Sequence, residues 1–132
     1  MAISAMVATA GSASASATLT VAEYGLMSSY PYGTLTVFGT ATCNVSSGTA
    51  TISVSAFQIV MHSANGFGTT TVSCASSPTT WEVTVDPYLC DPYSPIPLYQ
   101  EHCFLANSLV STDVTLTRNG VQEAAVFQTI GT

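Results

Sequence analysis

The residues with the most chemical character lie in one stretch, Asp86–Cys103, DPYLCDPYSPIPLYQEHC. It carries Pro87, Pro92, Pro95 and Pro97, a repeated Asp-Pro-Tyr at 86–88 and 91–93, and the tyrosines Tyr88, Tyr93 and Tyr99. Proline fixes φ, so a loop dense in proline loses less conformational freedom when it binds something. Tyrosine supplies a large rigid contact area with a polar tip, which is why binding loops favour it. The chemistry this predicts is recognition, through Tyr88, Tyr93, Ile96, Leu98 and Tyr99. The competing role for the same stretch is a long crossover pinned by a disulfide, its aromatics packed on the end of the domain.

Groups that could make or break bonds are sparse. His62 and His102 are the only histidines, and Gly11-Ser12-Ala13-Ser14-Ala15 lacks the final glycine of a nucleophile elbow. Glu101 and His102 are adjacent, so an extended chain points them to opposite faces. Paired carboxylates of the glycosidase kind have no fixed spacing by which a sequence declares them. Asp86, Asp91 and Glu101 with loop carbonyls form the one arrangement suited to weak calcium binding. Phosphate loops and dinucleotide fingerprints are absent. The expectation is a protein that is not an enzyme, with no catalytic residues, no cofactor and no metal.

Four cysteines, Cys43, Cys74, Cys90 and Cys103, occur without the close C-x2-C pairs of a zinc site. They predict two disulfides and an oxidising compartment. Three connectivities are open. Cys43–Cys74 with Cys90–Cys103 is favoured, because the first two fall on strands and the second two bracket one proline-rich loop. Closing that loop contributes about 3 kcal/mol through the entropy of the unfolded chain.

The elements that must position this loop are strands. The chain has 132 residues, about one domain, with 20 Thr, 17 Ser and 13 Val, a strand-forming mixture that excludes an all-helical protein. Lys plus Arg number 1 against 7 Asp plus Glu, for a net charge of −6. A lone Arg118 cannot neutralise a row of phosphates, which excludes nucleic acid as a partner and disfavours anionic membranes. No run reaches the roughly 20 apolar residues of a membrane span.

Alternation with period two is strong. Leu35, Val37, Gly39, Ala41, Cys43 and Val45 share one face, and Ala50, Ile52, Val54 and Ala56 share another. The apolar set then shifts phase to Phe57, Ile59 and Met61, which predicts a β-bulge near Ala56-Phe57. Asn119-Gly120 predicts a type I′ hairpin pairing Arg118 with Val121, Leu116 with Glu123, Val114 with Ala125 and Thr112 with Phe127. Arg118 and Glu123 then form an exposed diagonal pair worth under about 1 kcal/mol. Seven strands result: Ala17–Ala22, Thr34–Val45, Thr49–Met61, Thr69–Ala75, Thr80–Val85, Phe104–Arg118 and Val121–Ile130. Seven short strands predict an all-β, Ig-like antiparallel sandwich over residues 18–132. The Cys43, Cys74, Trp81 order departs from the antibody pattern, where Trp lies between the cysteines.

GTATCNVSSGTATISVSAFQ, then TTTVSCASSPTTWEVTV and the closing VTLTRNG hairpin, resembles small secreted actinobacterial proteins of unknown function. The resemblance covers roughly Gly33–Val85 and, more weakly, the hairpin. It implies a secreted sandwich with a Cys43–Cys74 bond and no particular activity, and it leaves the loop Asp86–Cys103 unaccounted for.

Residues 1–17 differ from the rest. Ala2–Ala10 is small and apolar, and Ala13-Ser14-Ala15 and Ala15-Ser16-Ala17 fit a signal-peptidase site, although the basic start of a signal is missing. The segment reads as a signal-peptide remnant or an extended arm. Asn44-Val45-Ser46 is a formal glycosylation sequon.

All six tyrosines fall outside the expected strands. If the strands alternate in direction, the connections holding Tyr24, Tyr30 and Tyr32, then Met61–Gly68 with His62 and Phe67, then Tyr88, Tyr93 and Tyr99 emerge at one end. The leading expectation is an extracellular interaction module that meets a protein or cell-surface partner through this Tyr/Pro-rich pole, with Tyr30 and Tyr32 among its contacts. A second is a homo-oligomeric subunit of a filament or virion surface that exchanges strands through the N-terminal arm. A third is a protease inhibitor presenting Ser94–Tyr99.

Overall fold

The computed structural model describes residues 17–29, 32–59, 63–91, 93, 95 and 102–132. Among these there is no helix. Ten strands follow one another: β1 (Thr18–Val21), β2 (Leu26–Met27), β3 (Tyr32–Gly33), β4 (Leu35–Thr42), β5 (Thr49–Ile59), β6 (Ser63–Ser73), β7 (Thr79–Pro87), β8 (Phe104–Leu105), β9 (Leu109–Arg118) and β10 (Val121–Gly131). The hydrogen-bonded path runs β1-β4-β7-β6-β5-β9-β10, with β2 on β4 and a separate β3-β8 pair. The joint between β7 and β6 is short, Gly66 opposite Pro87 and Phe67 opposite Asp86. It acts as a corner that turns β1, β4 and β7 to face β6, β5, β9 and β10. The result is the expected Ig-like antiparallel sandwich, three strands against four.

Period-two burial supplies the core. Leu35, Val37, Trp81, Val83 and Val85 of the three-strand side meet Ile52, Val54, Val114, Leu116 and Ile130 of the other. Each such large side chain contributes about 1.5–3 kcal/mol by leaving water. Trp81 fits because Gly39 stands directly opposite it on β4. A Cβ at Gly39 would run into both the Trp81 ring and the Thr20 carbonyl of β1.

The path nearly closes on itself. Just past β1, Gly25 N–H donates to Gly131 O at 2.9 Å and Gly131 N–H donates to Glu23 O at 2.8 Å. Gln128 Nε2 reaches Val21 O at 3.0 Å. Both disulfides have the favoured connectivity, Cys43–Cys74 and Cys90–Cys103. The first joins the chain just past β4 to the chain just past β6, at the pole that also holds the Asn119-Gly120 turn. The second lies at the opposite pole.

Several local expectations are corrected. No bulge interrupts β5, whose pairing with β6 runs without a shift from Thr49–Ser73 to Ile59–Ser63. Phe57 faces outward and Gln58 inward, only 2% exposed. β6 begins at Ser63 rather than Thr69, so Phe67 belongs to a sheet face and not to the polar end. Asn65-Gly66-Phe67-Gly68 looks like a turn in the sequence. Its glycines instead let β6 press on β7, since a Cβ at Gly66 or Gly68 would collide with the carbonyl oxygen of Asp86 or Thr84. The strand expected from Phe104 to Arg118 is broken at Ala106–Ser108, where Asn107 takes a φ of 56°.

The hairpin has its predicted turn, with Asn119 and Gly120 both at positive φ, and its predicted Arg118–Val121 pair, but not the predicted register beyond it. A bulge between Gln122 and Ala124 moves Leu116 opposite Ala124, Val114 opposite Val126, Thr112 opposite Gln128 and Asp113 opposite Phe127. The extra residue is Glu123, whose side chain is 4% exposed and whose Oε2 accepts from Arg118 Nε at 2.8 Å. The pair therefore exists but is not the exposed one expected.

Candidate functional site at the tyrosine-bearing pole

Strand directions bring the end of β1, the start of β4, the end of β7 and the start of β9 to the same pole. There β1 hands over to Tyr24, whose ring lies against Gly131, and β2 carries Leu26. Beyond β7, Tyr88 N–H donates to Asn65 O at 2.9 Å, fastening the start of the loop to β6. Leu89 follows with a φ of 58°, a left-handed conformation that is uncommon for a leucine and that turns the chain toward Cys90. Tyr93 N–H donates to the Asp91 carboxylate at 3.0 Å, a local turn that suits Asp-Pro-Tyr. Tyr24, Tyr88 and Tyr93 are 71%, 64% and 84% exposed, and Leu26, Leu89 and Leu109 are exposed with them.

The far end of the loop is anchored by polar groups. Cys103 and Phe104 are buried, and Cys103 is bonded to Cys90. Gln58 Oε1 accepts from Leu105 N at 2.7 Å, while its Nε2 donates to Leu105 O at 3.2 Å and Leu109 O at 3.3 Å. The Thr132 hydroxyl donates to Leu105 O at 2.8 Å and accepts from Ser108 N at 3.1 Å. His102 Nδ1 lies 3.2 Å from Ser63 O, so this nitrogen carries the proton. A shallow depression of about 300 Å³, lined by Ser28, Gly33, Thr34, Asp86, Pro87 and Cys90, sits beside the disulfide.

Of the residues expected at the site, Tyr88 and Tyr93 are exposed at this pole. Tyr32 reaches it through its backbone, which pairs with Leu105 in the β3-β8 ladder. Tyr30, Ile96, Leu98 and Tyr99 lie outside the described residues, as do His62, Ser94 and residues 1–16. Sequence reasoning missed Leu26, Leu89 and Leu109. Their signal was weak, because an apolar letter beside a strand normally means core.

The electrostatics of the pole are one-sided. Glu23, Asp86 and Asp91 are exposed there. Arg118 lies at the far end of β9 from Leu109, roughly 30 Å away at about 3.4 Å per residue. That exceeds the ~10 Å Debye length at 0.1 M salt threefold, so Arg118 does not offset these charges. Among the described residues no group of three or more His, Cys, Asp or Glu could hold one metal ion, and no helix is long and apolar enough to cross a membrane. No protein-family model matches this chain, and no curated protein matches it.

Proposed function

We propose that the protein is a secreted, non-enzymatic interaction module that contacts its partner through the tyrosine-bearing pole. The observation that carries this reading is the exposure of Tyr24 and Tyr88 on backbone fastened to the sandwich, with Tyr93 exposed on the local turn it makes with Asp91. Exposed aromatic side chains on a fixed frame lose little freedom on binding. Two disulfides support an oxidising compartment, and the resemblance of Gly33–Val85 to small secreted actinobacterial proteins supports secretion.

A second reading, self-assembly, is favoured by a different surface. Phe67, Ser55, Asp113 and Phe127 form one rung across β6, β5, β9 and β10, with Phe57 beside it on the outer face. All three phenylalanines are exposed, and an exposed apolar face of this kind suits contact between copies.

One experiment separates the two. Immobilised protein captures binders from the extracellular medium of the source organism, and light scattering measures the mass of the free protein. Replacing Tyr24, Tyr88 and Tyr93 by Ser abolishes capture on the first reading and leaves thermal melting unchanged, whereas Ser at Phe57, Phe67 and Phe127 has no effect on capture. Capture that survives loss of the tyrosines sinks the first reading. Concentration-dependent growth in mass that disappears with the phenylalanines establishes the second.

A further inference from the structure

We propose that the tyrosine-bearing pole docks a basic protein segment, one presenting Lys or Arg beside apolar side chains. This deepens the reading of the pole as the contact surface and rests on it. Six of the seven acids lie among the described residues, and three of them, Glu23, Asp86 and Asp91, are exposed at this pole. The chain's single Lys or Arg is Arg118, at the other pole and engaged with Glu123. Among the described residues the pole offers an acidic partner no Lys or Arg, whereas a basic partner finds three exposed carboxylates with no Lys or Arg beside them.

The aromatic groups point to the same partner. The faces of Tyr24, Tyr88 and Tyr93 accept guanidinium and ammonium groups as cation–π partners. The apolar stems of Lys and Arg suit Leu26, Leu89 and Leu109. A second copy is a poor occupant, because it brings a net charge of −6 and only an Arg118 that is already paired. Complementary charge of this kind also speeds encounter and makes binding sensitive to salt.

The test titrates isotope-labelled protein with three peptides built on one leucine-glycine frame and carrying Arg, Glu or Ser at the same positions. Backbone amide shifts report the contact, at low and at high salt. The titration is repeated on Glu23→Gln/Asp86→Asn/Asp91→Asn and on Glu82→Gln/Asp113→Asn, which removes acids from the sheet faces instead. Each amide keeps an acceptor oxygen, including the one Tyr93 N–H uses.

The expected result is that only the Arg peptide moves Tyr24, Tyr88, Leu89 and Tyr93. Its affinity falls about tenfold in the pole variant, changes less than about twofold in the sheet variant, and weakens at high salt. Equal shifts at the pole with the Ser or Glu peptide overturn the basic partner and leave the pole standing as a contact surface. Shifts confined to the sheet faces, or none at the pole with any peptide, overturn the inference and remove support for the pole as well.

Discussion

Gln58 and Leu105 grip each other through both ends of one side-chain amide, Oε1 taking the Leu105 N–H and Nε2 giving to the Leu105 carbonyl. The arrangement copies the exchange between two paired strand residues, with a side chain standing in for a backbone. Leu105 stands opposite Tyr32 in the short β3-β8 ladder, yet its own N–H and C=O are taken by the Gln58 side chain, which satisfies the polar groups of this half-buried segment as any backbone out of reach of water requires.

Replacing Gln58 by Leu keeps the volume and removes the amide. Leu105 N–H then loses its acceptor in the interior, at a cost of about 1–3 kcal/mol. The denaturant midpoint should fall by that amount, and the Leu105 amide should exchange with solvent far faster than its neighbours. Unchanged exchange at Leu105 would show that the amide is not what holds this segment.

Gly39→Ala should be among the most damaging single changes in the domain. The new methyl meets the Thr20 carbonyl and the Trp81 ring together, and forcing atoms into a filled core costs typically 1–3 kcal/mol or more. Adding Trp81→Leu should not rescue it, because the Thr20 oxygen belongs to the β1 backbone and cannot swing aside. Thermal melting of the single and double variants tests this, and full recovery in the double variant would refute the account.

Arg118→Met leaves the Glu123 carboxylate almost buried, with the Asn44 N–H at 3.2 Å as its remaining described partner. The expected loss is about 2 kcal/mol, between an exposed pair and a fully buried one. Glu123→Gln in the Arg118→Met background should restore part of it, since the amide needs no counter-charge. Urea unfolding of the four proteins in this cycle gives the coupling directly, and a coupling near zero would mean that the pair is only a neighbourly contact.

Strand alternation was readable because burial acts on every second residue, so Leu35, Val37, Ile52 and Val54 announce their face by type alone. The same logic misled at Phe57-Gln58. The aromatic ring is outward and the amide inward, because Gln58 serves the backbone of a segment 47 residues away. Glu123 was illegible for a similar reason. The Asn-Gly turn fixes the pairs nearest to it, but the bulge beyond places the carboxylate against Arg118 and against Asn44, 79 residues off in sequence. At the pole, Tyr88 and Tyr93 were readable from the Asp-Pro-Tyr repeat. Leu26, Leu89 and Leu109 were not, because apolar residues state their exposure only once the fold is known.

β1 and β10 run side by side in the same direction, and Tyr24 bridges to Gly131 where they meet. A pull along the domain axis, outward at Thr18 and outward at Gly131, drags the two strands past each other. The bonds of Gly131 to Glu23 and Gly25, and the Gln128 contact to Val21, lie across that motion and are loaded together. They must rupture as a group, unlike the rungs of a hairpin, which unzip one at a time. The seam that closes the sandwich therefore also makes it resist stretching from end to end.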